Sequence, residues 1–277
     1  MILSYKNKFV FLKNRKVGGS SVEIALSSIC GENDIITPLT IKDELLRMKM
    51  FNVHCQNYSF DKHEERVYVN NLKKLLIGCD ENEKRKLFPE AKAPPKDSIK
   101  YHEHMRLCEV INRSNININD FIFIHICRNP YEQIVSHAEW MLMYYNQWTS
   151  PGYTNQDIKN NLDKSLGKCI WQVKDNIAIV KYDYAVNMHI LRYESLQKDF
   201  DALLSRLGFP GISLPHAKKS QRNKNKDMSL FDKEQIEKIN EELHEYFEIY
   251  DYPKRRTSFP AIFMTKLGSL WRGVKIN

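Results

Sequence analysis

The 277-residue chain carries 42 Lys and Arg against 34 Asp and Glu, a formal net charge of +8; 42% of its residues are hydrophobic and 27% charged. That composition is globular rather than disordered, the length fits one or two domains with a full core, and no apolar run approaches the roughly 18 residues of a membrane span. Lys6, Lys8 and Lys13 interrupt the N-terminal segment, which lacks the sustained apolar stretch of a secretory signal, so a cytoplasmic protein is expected.

Lys8–Leu12 (KFVFL) is apolar, too short for a helix, and reads as a buried strand. It runs into Gly18-Gly19-Ser20-Ser21 and then a segment with Val22, Ala25, Leu26 and Ile29 at helical spacing, stopped by Gly31. Residues 32–100 are polar with weak periodicity; Val67–Phe88 is expected to be helical and Pro94-Pro95 to mark a loop. Phe121–Cys127 (FIFIHIC) is a continuous apolar strand of the buried, parallel kind, and Arg128-Asn129-Pro130 turns it into a helix with Pro at its first position. That helix places Ile134, Ala138, Met141, Leu142 and Tyr145 on one face. A third strand, around His189–Tyr193, leads to Leu196, Phe200, Leu203, Leu204 and Leu207, a regular stripe ended by Gly208. A last helix is expected over Ser229–Ile249. Three strand–helix units without a separable linker predict one α/β domain over residues 1–277. The six cysteines lie about 20 to 40 residues apart, with no close pair to suggest a zinc clip or a disulfide framework.

The charge is unevenly placed. Residues 1–22, 216–226 and 254–277 hold five, five and six basic residues and no acidic one, whereas 227–253 holds nine acidic against two basic. Three acid-free runs point to an anionic ligand more strongly than the net charge does. Glycines between a strand and a helix allow backbone N–H groups to converge on an anion. Arg15-Lys16-Val17-Gly18-Gly19-Ser20-Ser21 is such a segment, but neither the nucleotide loop, because its lysine precedes the glycines, nor the dinucleotide fingerprint. Taken alone it also fits a tight turn with a serine helix cap. Arg128 to Ser136, at another strand end, supplies a second set of phosphate donors; taken alone, it fits an arginine on a carbonyl and a surface serine. Both segments fall at one edge of the sheet, where open α/β sheets bind ligands.

The segment Lys16–Ser21 resembles the 5′-phosphosulfate loop of sulfotransferases, Arg128–Ser136 resembles their 3′-phosphate motif, and Leu191-Arg-Tyr-Glu-Ser-Leu196 with Gly208-Phe209 resembles a third family segment. Cys30–Pro38 and Gln56-Asn57-Tyr58 are similar to the branch of Golgi carbohydrate enzymes. The chain departs from the pattern at Arg15, where proline is usual, and at Val17, where a hydroxyl is usual. The resemblance implies a P-loop-like three-layer fold with a central, mainly parallel sheet. It also implies transfer of a sulfuryl group from 3′-phosphoadenosine 5′-phosphosulfate to a hydroxyl or amine, leaving adenosine 3′,5′-bisphosphate, with no metal required. In that reading Arg15, Lys16, Gly18, Gly19, Ser20 and Ser21 hold the 5′-phosphosulfate and Lys16 neutralises the leaving oxygen. Arg128 and Ser136, with Lys219 or Arg222 from the basic run 216–226, hold the 3′-phosphate. His104 is the expected general base, with His102 and Glu103 as fallbacks.

Residues 50–100 are expected to shape the acceptor cleft, and 254–277 form a basic C-terminal segment without assignment. The expected partner is a small-molecule or glycan acceptor, with neither nucleic acid nor a membrane span. Two other readings stay open: a P-loop nucleotide kinase, which would need Mg²⁺ and a strand-end Asp, and a non-catalytic polyanion- or nucleic-acid-binding protein, favoured by pI ≈ 9.0 and by Tyr144, Tyr145 and Tyr153.

Overall fold

A computed structural model gives the fold and describes residues 1–78, 99–145, 153–181, 186–215 and 230–257. Lys219, Arg222, Pro94-Pro95 and residues 258–277 lie outside the described residues, as do the side chains of Tyr144 and Tyr145.

Among the described residues five strands form one open sheet in the order β3 (Ile35–Ile36), β1 (Ile2–Ser4), β2 (Phe9–Phe11), β4 (Ile122–Cys127), β5 (Met188–Arg192). Strands β1 (Ile2–Ser4) and β2 (Phe9–Phe11) are joined by four residues, too few for a crossover, so they pair antiparallel, with Ile2 opposite Phe11 and Ser4 opposite Phe9. The two-residue β3 (Ile35–Ile36) adds to the outer side of β1, again antiparallel. On the other side, β4 (Ile122–Cys127) runs parallel to β2, and β5 (Met188–Arg192) runs parallel to β4. The sheet is therefore mixed, and the expectation of a mainly parallel sheet is corrected: Ile2–Ser4 and Ile35–Ile36 are short antiparallel additions with no periodicity to announce them.

Alternation along the strands sends side chains to opposite faces. Phe9, Phe11, Ile124, Ile126 and Leu191 pack with α1 (Gly19–Ser27) and with α7 (Leu196–Arg206), whose Phe200, Leu203 and Leu204 are fully buried. Val10, Leu12 and Phe123 pack on the other face with α3 (Lys62–Ile77), α4 (Leu107–Ser114) and the C-terminal end of α6 (Asn155–Val180). The helix α2 (Ile41–Phe51), capped by Thr40, lies between α1 and α3. A further cluster joins α5 (Pro130–Tyr145) to α6, α8 (Lys233–Glu242) and α9 (His244–Tyr250) through Tyr131, Ile134, Ala138, Leu162, Ile170 and Phe247.

The helix expected from Val67 starts earlier, because Asp61 accepts from the N–H groups of His63 and Glu64, and it ends at Gly78 in left-handed backbone. The single helix expected over Ser229–Ile249 is two helices, broken at Leu243. Helix α6 follows from no sequence expectation. Among the described residues no helix is long and apolar enough to cross a membrane.

Candidate functional site

Strands β2, β4 and β5 run in one direction, so their carboxyl ends share an edge, and the chain leaves all three there through the segments singled out above. After β2, residues 14–16 are held from outside. The N–H of Arg15 donates to Asn176 Oδ1 at 2.7 Å, and the Arg15 carbonyl accepts from Asn176 Nδ2 and Gln133 Nε2, each at 3.0 Å. The side chain of Asn14 donates to the Asn176 carbonyl at 2.9 Å. Lys16 adopts φ 61°, and its carbonyl accepts from the Arg128 guanidinium at 3.1 Å.

Val17 is fully buried in the core beneath the loop, and Gly18, at φ 82°, caps α1. A methyl group on Gly18 would stand 3.2 Å from the Tyr193 ring and from Leu196. Helix α1 has no side-chain cap and no acidic residue in its first turn, so backbone N–H groups there are left for an anion. The hydroxyls of Ser20, Ser21 and Ser136 make no hydrogen bond among the described residues.

Arg15 and Val17, the two positions that differ from the loop the segment resembles, each have a local reason. Arg15 uses its backbone N–H, which proline lacks, and the side chain of Val17 points into the core, where a hydroxyl would be buried without reaching a ligand.

Arg128 ties the second segment to the first. It is 6% exposed, and its guanidinium lies over the Tyr193 ring, 4.0 Å from the centroid, and 3.5 Å from Glu132. Its Nε is buried without a hydrogen-bond partner. The Tyr246 hydroxyl accepts from the Arg128 N–H and donates to the Arg128 carbonyl. The third segment joins through Glu194, which accepts from the Asn129 N–H at 2.7 Å and from the Tyr252 hydroxyl at 2.7 Å. Ser136 lies further along α5, half-buried.

His104 arrives from the opposite side, in left-handed backbone at φ 61°. Its Nδ1 lies 2.7 Å from the Lys13 carbonyl, which can only accept, so Nδ1 carries the proton and Nε2 keeps a lone pair. Burial, aided by Lys13 and Arg15, lowers its pKa to about 3 against the pull of Glu103. The Glu103 carboxylate stands 3.8 Å from His104 Nε2 and 2.8 Å from Lys13 Nζ. Burial opposes its ionisation, but Lys13 and His104 outweigh that and hold it well below the usual carboxylate range. Lys13 also reaches the buried Glu23 at 3.3 Å. His102 hydrogen-bonds the Glu103 carbonyl through Nδ1.

Four nearby residues were not nominated by the sequence. Asn176 and Gln133 clamp the loop, and Asp175 lies 3.5 Å from Arg15 and 3.9 Å from Arg106. His137 stacks on Trp140, over whose ring Lys16 Nζ lies at 5.8 Å; burial, with Lys16 and Arg15, lowers its pKa to about 4. Its position directly after Ser136 was the available signal. Among the described residues no group of His, Cys, Asp or Glu could hold a metal ion. Comparison of the chain with models of known protein families, with curated proteins and with solved structures returned no match.

Proposed function

We propose that this chain is a sulfotransferase that moves a sulfuryl group from 3′-phosphoadenosine 5′-phosphosulfate to an acceptor hydroxyl or amine, with a saccharide as the favoured acceptor and a P-loop-like core as its fold. The observation that carries the reading is the convergence, at one sheet edge, of an uncapped helix N-terminus after two glycines, Lys16 beside it, and an imidazole whose tautomer leaves Nε2 able to accept a proton.

In this reading the N–H groups of Gly19 and Ser20 and the hydroxyls of Ser20 and Ser21 bind the 5′-phosphate. Arg128 couples loop to helix α5, and Ser136 provides a donor toward the 3′-phosphate, with Lys219 or Arg222, both outside the described residues, as the candidate basic partner. As the acceptor oxygen bonds to sulfur, its proton passes to His104 Nε2. The sulfur–oxygen bond to the leaving phosphate breaks with its electron pair, and Lys16 neutralises the charge left on that oxygen. Glu103, 3.8 Å from Nε2, stabilises the imidazolium that results.

Two variants separate these roles in a transfer assay run beside bisphosphate binding. Lys16→Ala should lower turnover by a factor of about 100 or more. His104→Ala should retain adenosine 3′,5′-bisphosphate affinity and lose transfer by about 100-fold or more. Near wild-type turnover in Lys16→Ala would refute the assignment, and loss of binding in His104→Ala would make that residue structural.

A further inference from the structure

Lys13 occupies a place where the strand pattern calls for an apolar side chain. It continues the alternation of Phe9 and Phe11, whose rings pack toward α1, and it is 5% exposed. Its stem lies against the second loop glycine: a methyl group on Gly19 would stand 3.1 Å from Lys13 Cγ. Its ammonium sits between two carboxylates, 2.8 Å from Glu103 and 3.3 Å from Glu23. Burial works against that charge, but Glu23 and Glu103 outweigh it and raise the pKa. A buried ion pair adds little stability over an apolar side chain of similar volume, so packing alone gives no reason for a lysine here.

Lys13 touches the Glu103–His104 pair at two points. Its carbonyl accepts from His104 Nδ1 at 2.7 Å and fixes the ring, while its ammonium holds Glu103. The carboxylate therefore stops 3.8 Å from Nε2, beyond hydrogen-bond reach. The other titratable groups at this place are Arg15 and Arg106, which flank Asp175 of α6 at 3.5 and 3.9 Å, and His102, which bonds the Glu103 carbonyl. Behind Lys13, Glu23 of α1 is shared with the Met1 amino group at 2.7 Å and with Arg47 of α2 at 3.6 Å.

We propose that Lys13 is a positioning residue for proton transfer at His104. It withholds Glu103 from Nε2, so that Nε2 is open to the acceptor's proton, and it leaves the carboxylate close enough to pair with the imidazolium once that proton has moved. Without Lys13 the carboxylate would close the gap and stabilise a solvent proton on Nε2, and the ring would then have no lone pair to offer at mildly acidic pH. The inference rests on the transfer reading above and adds to it the group that keeps the base neutral.

The test is an NMR titration of the imidazole carbons in the full chain, which needs neither cofactor nor acceptor, run beside the pH profile of transfer. His104 of the wild type should remain neutral down to about pH 5. In Lys13→Met its midpoint should rise by about two pH units or more, since a repelling charge is lost and an attracting one moves in. The acid limb of kcat should move up with it. In a Glu103→Gln background the same substitution should move the midpoint about half as far or less, because only the repulsion remains to be lost. The methionine variant should fold, as a cooperative thermal transition would verify: Glu103 is 37% exposed and can turn to water, and Glu23 keeps Arg47. Should it not fold, Lys13→Gln retains a donor for the carboxylates and should raise the midpoint by about one unit or more. A lowered melting temperature with the His104 midpoint unmoved would make Lys13 part of a structural ion pair only and overturn the proposal, leaving the transfer reading standing. An equally large shift in the Glu103→Gln background would also overturn it, since the effect would not pass through Glu103. A Glu103-dependent shift in a chain that transfers no sulfuryl group would uphold the hold of Lys13 on the pair and overturn the transfer reading.

Discussion

Lys16 and His104 share a backbone oddity. Among the described residues, seven non-glycine positions have positive φ: four are Asn or Asp, which tolerate it, Lys8 lies in the β1–β2 turn, and the other two are the residues nominated for catalysis. Such conformations cost about 1–3 kcal/mol each and persist where surrounding contacts impose them. Here those contacts are the Arg128 guanidinium on the Lys16 carbonyl and the Lys13 carbonyl on the His104 ring. Gly18 is more constrained still, since it combines φ 82° with a ring 3.2 Å from where a Cβ would stand. Gly18→Ala should lower unfolding free energy by about 1–3 kcal/mol in urea denaturation and weaken bisphosphate binding. A change below about 0.5 kcal/mol would show that Tyr193 and Leu196 do not enforce the turn.

At the scale of elements, α6 matters most and was least legible. Its buried positions Ile158, Leu162, Leu166, Cys169, Ile170 and Val173 follow helical spacing, but Asp, Lys and Asn between them dilute the stripe. Strand β2 and most of β4 were readable as apolar runs, α5 from the apolar face that follows Pro130, α7 from its regular leucine stripe, and β5 from its place just before that stripe. Strands β1 and β3 are three and two residues long, too short to show a period. The motif residues of the site could be read, but not the groups that hold them, because Asn176 and Gln133 come from helices distant in sequence. Asn176 is 1% exposed, and its side chain satisfies both backbone groups of Arg15. Asn176→Ala should therefore cost about 1–3 kcal/mol in urea denaturation and weaken bisphosphate binding. Unchanged affinity together with the expected destabilisation would mean that the loop keeps its shape without the clamp.

For the whole molecule, the net charge of +8 conceals its placement: one acid-free run supplies the loop, while 216–226 and most of 254–277 fall outside the described residues. Stability against acid is also a property of the whole fold. Burial lowers His104 to about 3 and His125 and His137 to about 4, so each stays neutral in the folded chain while the unfolded chain takes up its proton near pH 6.5. Their contribution is fully present above pH 6.5 and declines as pH falls toward 4, by up to about 1.4 kcal/mol per pH unit for each proton. Glu23 is lowered to about 2, where burial is outweighed by the Met1 amino group, Lys13 and Arg47, and it adds a further loss below pH 4.5. The urea midpoint should be flat from pH 8 to 7 as far as these groups govern it, and fall steadily from about 6.5 to 4.5. A midpoint unchanged down to pH 5 would contradict the burial of these rings. The central claim is that the sheet edge around Gly18, Lys16 and Arg128 binds a bisphosphorylated nucleotide, and calorimetric titration tests it most directly. Adenosine 3′,5′-bisphosphate should bind at one saturable site without metal and at least about tenfold more tightly than ATP with Mg²⁺; preference for ATP with Mg²⁺, or no saturable binding of either, would contradict it.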